Sequence, residues 1–368
     1  MTDVWKGMDM SVWSSGEFDD HEHINFISDP ETGLRAIVAI HSSVLGPAVG
    51  GTRFKAYANE QLAVDDALRL SRAMSFKCAL AGLPTGGGKA VIIGDPDKIK
   101  SRALLHAYGR FLNRIGPQFY TGEDVGMPNS DLRIVGEVNQ SLASVTGEAG
   151  DPSVHTAIGV MHGLQAVLEH SLQRESFDGV RVAVQGLGAV GWRVAEKLHE
   201  AGARLTVCDV RHDVVTKAVE LFGAAVASPD RIHAADVDIY VPCALGGVIT
   251  QTTACEIQAK AVAGAANNQL ACAEAGQMLM SRNILYAPDY VMNAGGVISG
   301  LNEICRMQGS SDKVFPPLAD RLVAIYTRLQ GIFEDVQREG LAPEVVAERT
   351  ARAIIARTYN AAHEATAL

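Results

Sequence analysis

No apolar run in this chain reaches the roughly eighteen residues that a membrane-spanning helix requires, so no span is expected. No basic stretch and no Lys/Arg segment interleaved with aromatics is present, which argues against nucleic acid as a partner. The N-terminal MTDVWKGMDMSVWSSGEFDD lacks a basic n-region and an apolar h-region, so no signal peptide is expected. The six cysteines, Cys78, Cys208, Cys243, Cys255, Cys272 and Cys305, form no C-x-x-C pair. Their apolar neighbours suggest buried, reduced thiols and a cytoplasmic location. The triplet His21-Glu22-His23 has no clear third and fourth ligand, and it reads as a solvated turn; no metal site is expected. Internal repeats and low-complexity segments are absent too. The glycine-rich LPTGGGKAVIIGDP fails as a phosphate loop. Leu83 stands where G-x-x-x-x-G-K-[ST] needs its first glycine, and Ala90 where it needs a hydroxyl.

What is present suits a water-soluble α/β protein. Hydrophobic residues make up 47% and charged residues 20% of 368 positions, with a net charge of −10. That length favours two domains. INFISDPETGLRAIVAIH predicts two strands around a turn at Pro30–Gly33. QLAVDDALRLSRAMSFK carries Leu62, Ala63, Ala67, Leu70 and Met74 at helical spacing and predicts an amphipathic helix ending near Lys77. A second helix is expected over 101–114, and FYTGEDVGM reads as a short strand entering a loop. A domain boundary is expected near 145–152, in the stretch TGEAGDPS. Beyond it, short apolar strands (VRVAV, DIYVPCA, AKAVAGAA, ILYAPDYV) alternate with helices. That is the rhythm of a parallel, doubly wound sheet. The C-terminal stretch from about 318 is helical.

Gly186-x-Gly188-x-x-Gly191 directly follows the strand VRVAV and opens a helix, and Asp209 ends the next strand. Gly186 permits the tight turn, Gly188 lets a pyrophosphate approach the backbone, and Gly191 allows close helix–strand packing. The helix start, with Ala189 and Val190, offers free N–H groups and a positive dipole end. Asp209 can accept hydrogen bonds from ribose hydroxyls and would repel a 2′-phosphate. These features predict a dinucleotide site for NAD rather than NADP, although Arg211 lies nearby.

Six clusters, GPAVGGTRF (46–54), FKCALAGLPTGGGKAVI (76–92), YTGEDVGM (120–127), PCALGGVI (242–249), VAGAANNQL (262–270) and YAPDYVMNAGGVI (286–298), carry a resemblance. From about residue 25 to about 360 the chain resembles the glutamate, leucine, phenylalanine and valine dehydrogenase family, its leucine branch above all. The resemblance implies NAD-dependent, reversible oxidative deamination of an L-amino acid to a 2-oxo acid and ammonia. It implies an α/β substrate-binding, catalytic and oligomerisation domain over 1–150 and a Rossmann-type NAD domain over 151–335, with a cleft between. Residues 336–368 would form a C-terminal helix packing back on the first domain. By the same resemblance Lys89 and Asp124 are catalytic, and Lys77 and Asn268 hold the substrate carboxylate. Thr156, Ala244 and Asn267 lie by the cofactor, and the protein is a homo-oligomer.

The chemistry is consistent with this. Deamination passes through an imine and a carbinolamine, so protons must be shuttled. A lysine can do this only if its pKa falls toward working pH, which burial promotes. The glycines Gly86–Gly88 are then expected to bring backbone close to substrate and to set Lys89 at its end. Alignment with leucine enzymes places Leu45, Gly46, Gly122, Thr146, Val297 and Gly300 around the side chain. Gly122 and Gly300 stand where alanine and valine are usual, which enlarges the pocket. Leucine and branched-chain substrates rank first, phenylalanine or tryptophan next. A non-catalytic NAD-binding regulatory protein and a 2-hydroxy-acid dehydrogenase are the readings from other classes.

Overall fold

A computed structural model describes residues 12–139, 151–300 and 315–366 of the chain. The described residues divide into two compact units. One holds 12–139 with 354–366, the other 151–300 with 315–353.

The first unit is a mixed five-stranded sheet. Its strands are β1 (His23–Asp29), β2 (Leu34–Ser42), β3 (Ala48–Lys55), β4 (Gly86–Ile93) and β5 (Phe119–Gly122), in the order β1-β2-β4-β3-β5. The expected hairpin is β1 with β2, antiparallel, from His23↔Ile40 to Asp29↔Leu34. β2 pairs antiparallel with β4, and β3 runs parallel to both β4 and β5. Helices α1 (Glu60–Leu80), α2 (Pro96–Ile99), α3 (Arg102–Ile115) and α4 (Asn129–Gly136) complete it.

Successive side chains on a strand point to opposite faces, and the core follows that alternation. Ile37, Ala39 and Val91 meet Ala63, Val64, Ala67 and Leu68 of α1. Val38, Ile40, Ala90 and Ile92 meet Leu104, Leu105, Tyr108 and Leu112 of α3, with Leu132 and Val135 of α4. α1 starts at Asn59, whose side chain accepts the Leu62 N–H at 2.9 Å. Its buried stripe includes the expected Ala63, Ala67 and Leu70, but Leu62 lies outside it, 48% exposed.

The second unit is a six-stranded sheet, parallel throughout. It is built from β6 (Arg181–Gln185), β7 (Arg204–Cys208), β8 (Ala225–Val226), β9 (Ile239–Pro242), β10 (Ala261–Val262) and β11 (Leu285–Tyr286), in the order β11-β10-β9-β6-β7-β8. Its helices are α5 (Pro152–Val167), α6 (Ala189–Glu200), α7 (His212–Phe222), α8 (Gln251–Glu256), α9 (Ala273–Ser281) and α10 (Asp289–Met292), followed by Leu318–Glu339 and by residues 343–353 of the last helix, Pro343–Thr366, whose remainder belongs to the first unit. From β6 the chain builds outward to β7 and β8 on one side, then returns to build β9, β10 and β11 on the other. The reversal lies between β6 and β9, and in open parallel sheets ligands bind beyond the strand ends at such a point.

The two α/β architectures are as expected from sequence. Two local expectations need correction. His21 is buried, not solvated: its ring packs edge-on to His41 and its Nε2 lies 3.0 Å from both the Leu68 carbonyl and Ser71 Oγ. Burial lowers its pKa to about 4. Cys255 is exposed, because α8 turns it outward, whereas Cys78 and Cys208 are buried as expected. Gly86–Gly88 belong to strand β4, and the space where their side chains would lie is taken by the chain itself. A Cβ on Gly86 would lie 2.0 Å from the Ser42 carbonyl oxygen, one on Gly87 2.0 Å from the Ser75 backbone nitrogen, and one on Gly88 2.8 Å from the Phe119 ring. Among the described residues no helix is long and apolar enough to cross a membrane.

Candidate functional site

Lys89 sits on β4 at a position whose side chain shares a face with Val91, the face covered by α1. It is buried, and its Nζ contacts Asp124 Oδ2. Asp124 lies in the loop after β5. Its Oδ1 accepts the Val125 N–H at 2.7 Å, and the Phe54 N–H donates to the Val125 carbonyl at 2.8 Å, tying the loop to β3. Gly51 makes that approach feasible, since a Cβ there would lie 2.4 Å from the Glu123 carbonyl oxygen.

Arg53 on β3 projects to the same face. Its Nε lies 3.3 Å from Asp124 Oδ2, and its Nη1 donates to Asp66 Oδ2 at 3.0 Å. Asp66 on α1 also accepts from Tyr57 Oη at 2.7 Å and Arg69 Nη2 at 2.8 Å. The result is a largely buried row of alternating charge, Lys89, Asp124, Arg53, Asp66.

Burial is the largest influence on Lys89 and lowers its pKa. Asp124 opposes that, and Arg53 lowers it further, leaving the lysine below its ordinary value. Burial pushes Asp124 upward, but Lys89 and Arg53 outweigh it and hold the carboxyl at about 2. A lysine made less basic by burial, beside an ionised carboxylate, is suited to proton exchange.

Lys77 stands half-buried in the terminal turns of α1, the turns whose Ser75 backbone touches Gly87. Leu45 and Gly46 precede β3, and Gly46 has φ +138 with the Pro84 carbonyl only 2.3 Å from where a Cβ would be. Gly122 ends β5, opposite Gly51. Thr146 lies outside the described residues, as does most of the expected linker.

The second unit carries a separate site at its reversal point. Gly186 follows β6 with φ +91, and a Cβ on it would strike Ala244 at 2.7 Å. Gly191 packs under the same turn, 2.0 Å from the Gly186 carbonyl oxygen by the same measure. Gly188 differs: a Cβ there would meet nothing within 4 Å. It precedes α6, and no side chain caps that helix. Open space in front of uncapped N–H groups at Ala189, Val190 and Gly191 fits a pyrophosphate. Asp209 follows β7; its Oδ2 accepts the Leu187 N–H at 2.7 Å and its Oδ1 the Arg211 N–H at 2.9 Å. Burial raises its pKa, but these bonds and the Arg211 charge keep it lowered overall. The Arg211 side chain folds back onto Asp209 and the Leu187 carbonyl.

Asn267 Oδ1 accepts from Asn293 Nδ2 at 2.8 Å. Asn268 adopts φ +52, and its carbonyl accepts the Gly247 N–H at 2.7 Å. Asparagine tolerates this left-handed geometry better than most residues. Thr156 Oγ1 bonds the Pro152 carbonyl at 2.9 Å, and Gly295 lets its backbone come close. Val297 is partly exposed, and among the described residues a Cβ on Gly300 would meet nothing within 4 Å.

Arg53, Asp66 and Tyr57 were not singled out by sequence reasoning. A signal was available in Asp66, an acidic residue on the stripe of α1 between Ala63, Ala67 and Leu70. A charge on a buried stripe requires a partner.

Comparison with known proteins gives a consistent picture. Residues 21–145 match the family described as "Glu/Leu/Phe/Val dehydrogenase, dimerisation domain". Residues 149–218 and 209–361 match "Glutamate/Leucine/Phenylalanine/Valine dehydrogenase". A leucine dehydrogenase of Bacillus subtilis (strain 168) is 40% identical over 351 residues, 95% of either chain. A phenylalanine dehydrogenase of Bacillus thermotolerans is 45% identical over 293 residues, 77% of either chain. The crystal structure of L-tryptophan dehydrogenase from Nostoc punctiforme is similar with a TM-score of 0.78 at 40% identity, covering 92% of this chain and 97% of that one.

Proposed function

Because the chain belongs to the Glu/Leu/Phe/Val dehydrogenase family, we propose that it catalyses the NAD-dependent, reversible oxidative deamination of an apolar L-amino acid, with leucine and its branched-chain relatives preferred. It is an amino-acid dehydrogenase of the leucine, phenylalanine and tryptophan branch, an oxidoreductase acting on CH–NH2 with a nicotinamide cofactor. The readings as a non-catalytic regulator and as a 2-hydroxy-acid dehydrogenase therefore fall away.

The observation that carries the assignment of roles is the buried contact of Lys89 with Asp124. Lys89 is the acid/base that takes and returns protons of the attacking water and of the carbonyl oxygen. Asp124, ionised, exchanges a proton with the substrate amino group. Lys77 binds the carboxylate. Gly186–Gly191 and Asp209 would hold NAD, which when bound would supply the hydride acceptor for the Cα–H bond. Ionised Asp209 disfavours a 2′-phosphate. The nearby Arg211, drawn onto Asp209 and the Leu187 carbonyl, does not counter that preference. The dimerisation-domain match supports a homo-oligomer.

A second reading, phenylalanine or tryptophan as preferred substrate, is favoured by the open space around Gly300. One methylene in an apolar pocket is worth only about 1–3 kcal/mol in discrimination, so the two readings differ by a narrow margin. NADH formation at alkaline pH across leucine, valine, isoleucine, phenylalanine, tryptophan and glutamate tests both. The highest kcat/KM is expected with leucine or another branched-chain substrate. A maximum at phenylalanine or tryptophan would assign specificity to Gly122 and Gly300. Turnover confined to glutamate would overturn the apolar pocket.

A further inference from the structure

We propose that Arg53 is a positioning residue for proton transfer: it holds Asp124 ionised and in place while Lys89 gives up and regains its proton, and Asp66 is the counter-ion that keeps Arg53 aimed. This rests on the roles proposed above for Lys89 and Asp124.

The geometry begins with the strand period. Arg53 stands opposite Val91 in the β3–β4 ladder, so its side chain enters the α1 face alongside Lys89. It is 15% exposed and reaches two carboxylates, Asp124 through Nε at 3.3 Å and Asp66 through Nη1 at 3.0 Å. Lys89 contacts the same oxygen of Asp124 that Arg53 approaches. Asp66 is 8% exposed and is further fixed by Tyr57 and Arg69.

The row carries two cations and two anions, so it is tolerated at depth. Turnover disturbs that balance. When Lys89 is neutral, Asp124 loses its ammonium partner, and a lone buried carboxylate takes up a proton or swings away. Arg53 opposes both: as a cation that does not deprotonate in proteins, it keeps the resting carboxylate ionised and in place, so that the proton Asp124 takes and returns is that of the substrate amino group. A lysine at position 53 would share the charge but not the fork that spans Asp124 and Asp66.

The charged groups that act on Lys89 are Asp124 after β5, Arg53 on β3 and Asp66 on α1; Asp66 is in turn held by Tyr57, between β3 and α1, and by Arg69 on the same helix. Arg53 lowers the Lys89 pKa and Asp66 raises it. Removing either charge therefore moves the lysine in opposite directions. That is a signature that loss of packing alone does not produce.

The test is the pH dependence of kcat/KM for oxidative deamination in Arg53→Met, Arg53→Lys and Asp66→Asn, with thermal midpoints recorded for each. In Arg53→Met, plateau activity should fall about a hundredfold, the scale of a misplaced reacting group. The limb on which activity rises as Lys89 loses its proton should move to higher pH. In Asp66→Asn that limb should move to lower pH, with a smaller loss. Arg53→Lys should keep the limb near its original place and recover part of the rate. Limbs that stay put, or that move the same way in Arg53→Met and Asp66→Asn, would overturn the proposal. If Arg53→Met does not fold, Asp66→Asn decides alone, an unmoved limb counting against it. Lys89→Met and Asp124→Asn run in parallel separate the two layers. If they retain activity, the assigned catalytic roles fail. If they lose it while the limbs stay put, only the role of Arg53 fails.

Discussion

Two glycine-rich stretches lie beside parallel strands in this protein, and glycine does different work in each. In Gly86–Gly88 every missing Cβ is replaced by the protein's own atoms: a carbonyl of β2, the backbone of α1, the ring of Phe119. These residues have extended backbone, so what matters is their thinness, not access to positive φ. The helix carrying Lys77 and the strand carrying Lys89 approach each other through that gap. In Gly186–Gly191 the first and last glycines are used in the same inward way, against Ala244 and the Gly186 carbonyl, but the middle one faces open space. The proposed ligand cradle thus differs from a packing seam by one residue whose vacancy the fold does not fill.

The sharpest way to break this comparison is Gly87→Ala. The new methyl would stand 2.0 Å from a backbone nitrogen and 2.5 Å from a Cα, neither of which can rotate away. Overpacking typically costs about 1–3 kcal/mol and sometimes more; a cost of about 3 kcal/mol is expected here, read as a fall in thermal midpoint and in soluble yield. NADH binding to whatever folds should be little changed. A variant as stable as the parent would mean that the close approach of α1 and β4 does not depend on glycine at position 87.

Gly186→Ala should act on both properties. Its φ of +91 disfavours any side chain, and the methyl meets Ala244. Left-handed backbone costs a non-glycine residue roughly 1–3 kcal/mol, so about 2 kcal/mol of stability should go. The distorted turn should weaken NADH binding as well. Loss of stability with unchanged affinity would separate the turn from the cofactor site and erase the contrast with Gly87.

The same contrast explains what could be read from sequence. The β1–β2 hairpin and the β6–turn–α6–β7 unit were legible because their signals are local: β-branched runs around Pro30–Gly33, and strand, glycines, helix and Asp209 in close succession. β4 was not, because glycine is depleted in strands and carries no alternation to detect. Lys89 was recognisable through resemblance, whereas its neighbours Arg53 and Asp66 were overlooked. Their significance depends on β3 lying next to β4 and under α1, a tertiary fact. His21 misled for the same reason, since the groups that bury it, His41, Leu68 and Ser71, lie on β2 and α1. Asp66 was the missed opportunity, a charge written into an apolar helical stripe.

The smallest effect on stability, and the most informative, is expected from Gly188→Ala. Its backbone, φ −73 and ψ −165, is ordinary for alanine, and the added methyl meets nothing within 4 Å. Two small terms oppose each other. Alanine is a poorer N-cap than glycine, but it reduces the entropy of the unfolded chain by about 0.4–1 kcal/mol where the native geometry is compatible. The thermal midpoint without ligand should therefore stay close to that of the parent. NADH affinity should not, because the methyl occupies the space in front of the α6 N–H groups. A loss of about 1.4 kcal/mol, tenfold in Kd, is the expected scale, measured by NADH fluorescence titration. A fall in stability comparable to that of Gly186→Ala would show that the space is needed by the fold. Unchanged affinity would show that the phosphates do not come within a methyl's reach of Gly188, and the distinction between cradle and seam would have to be redrawn at Gly186.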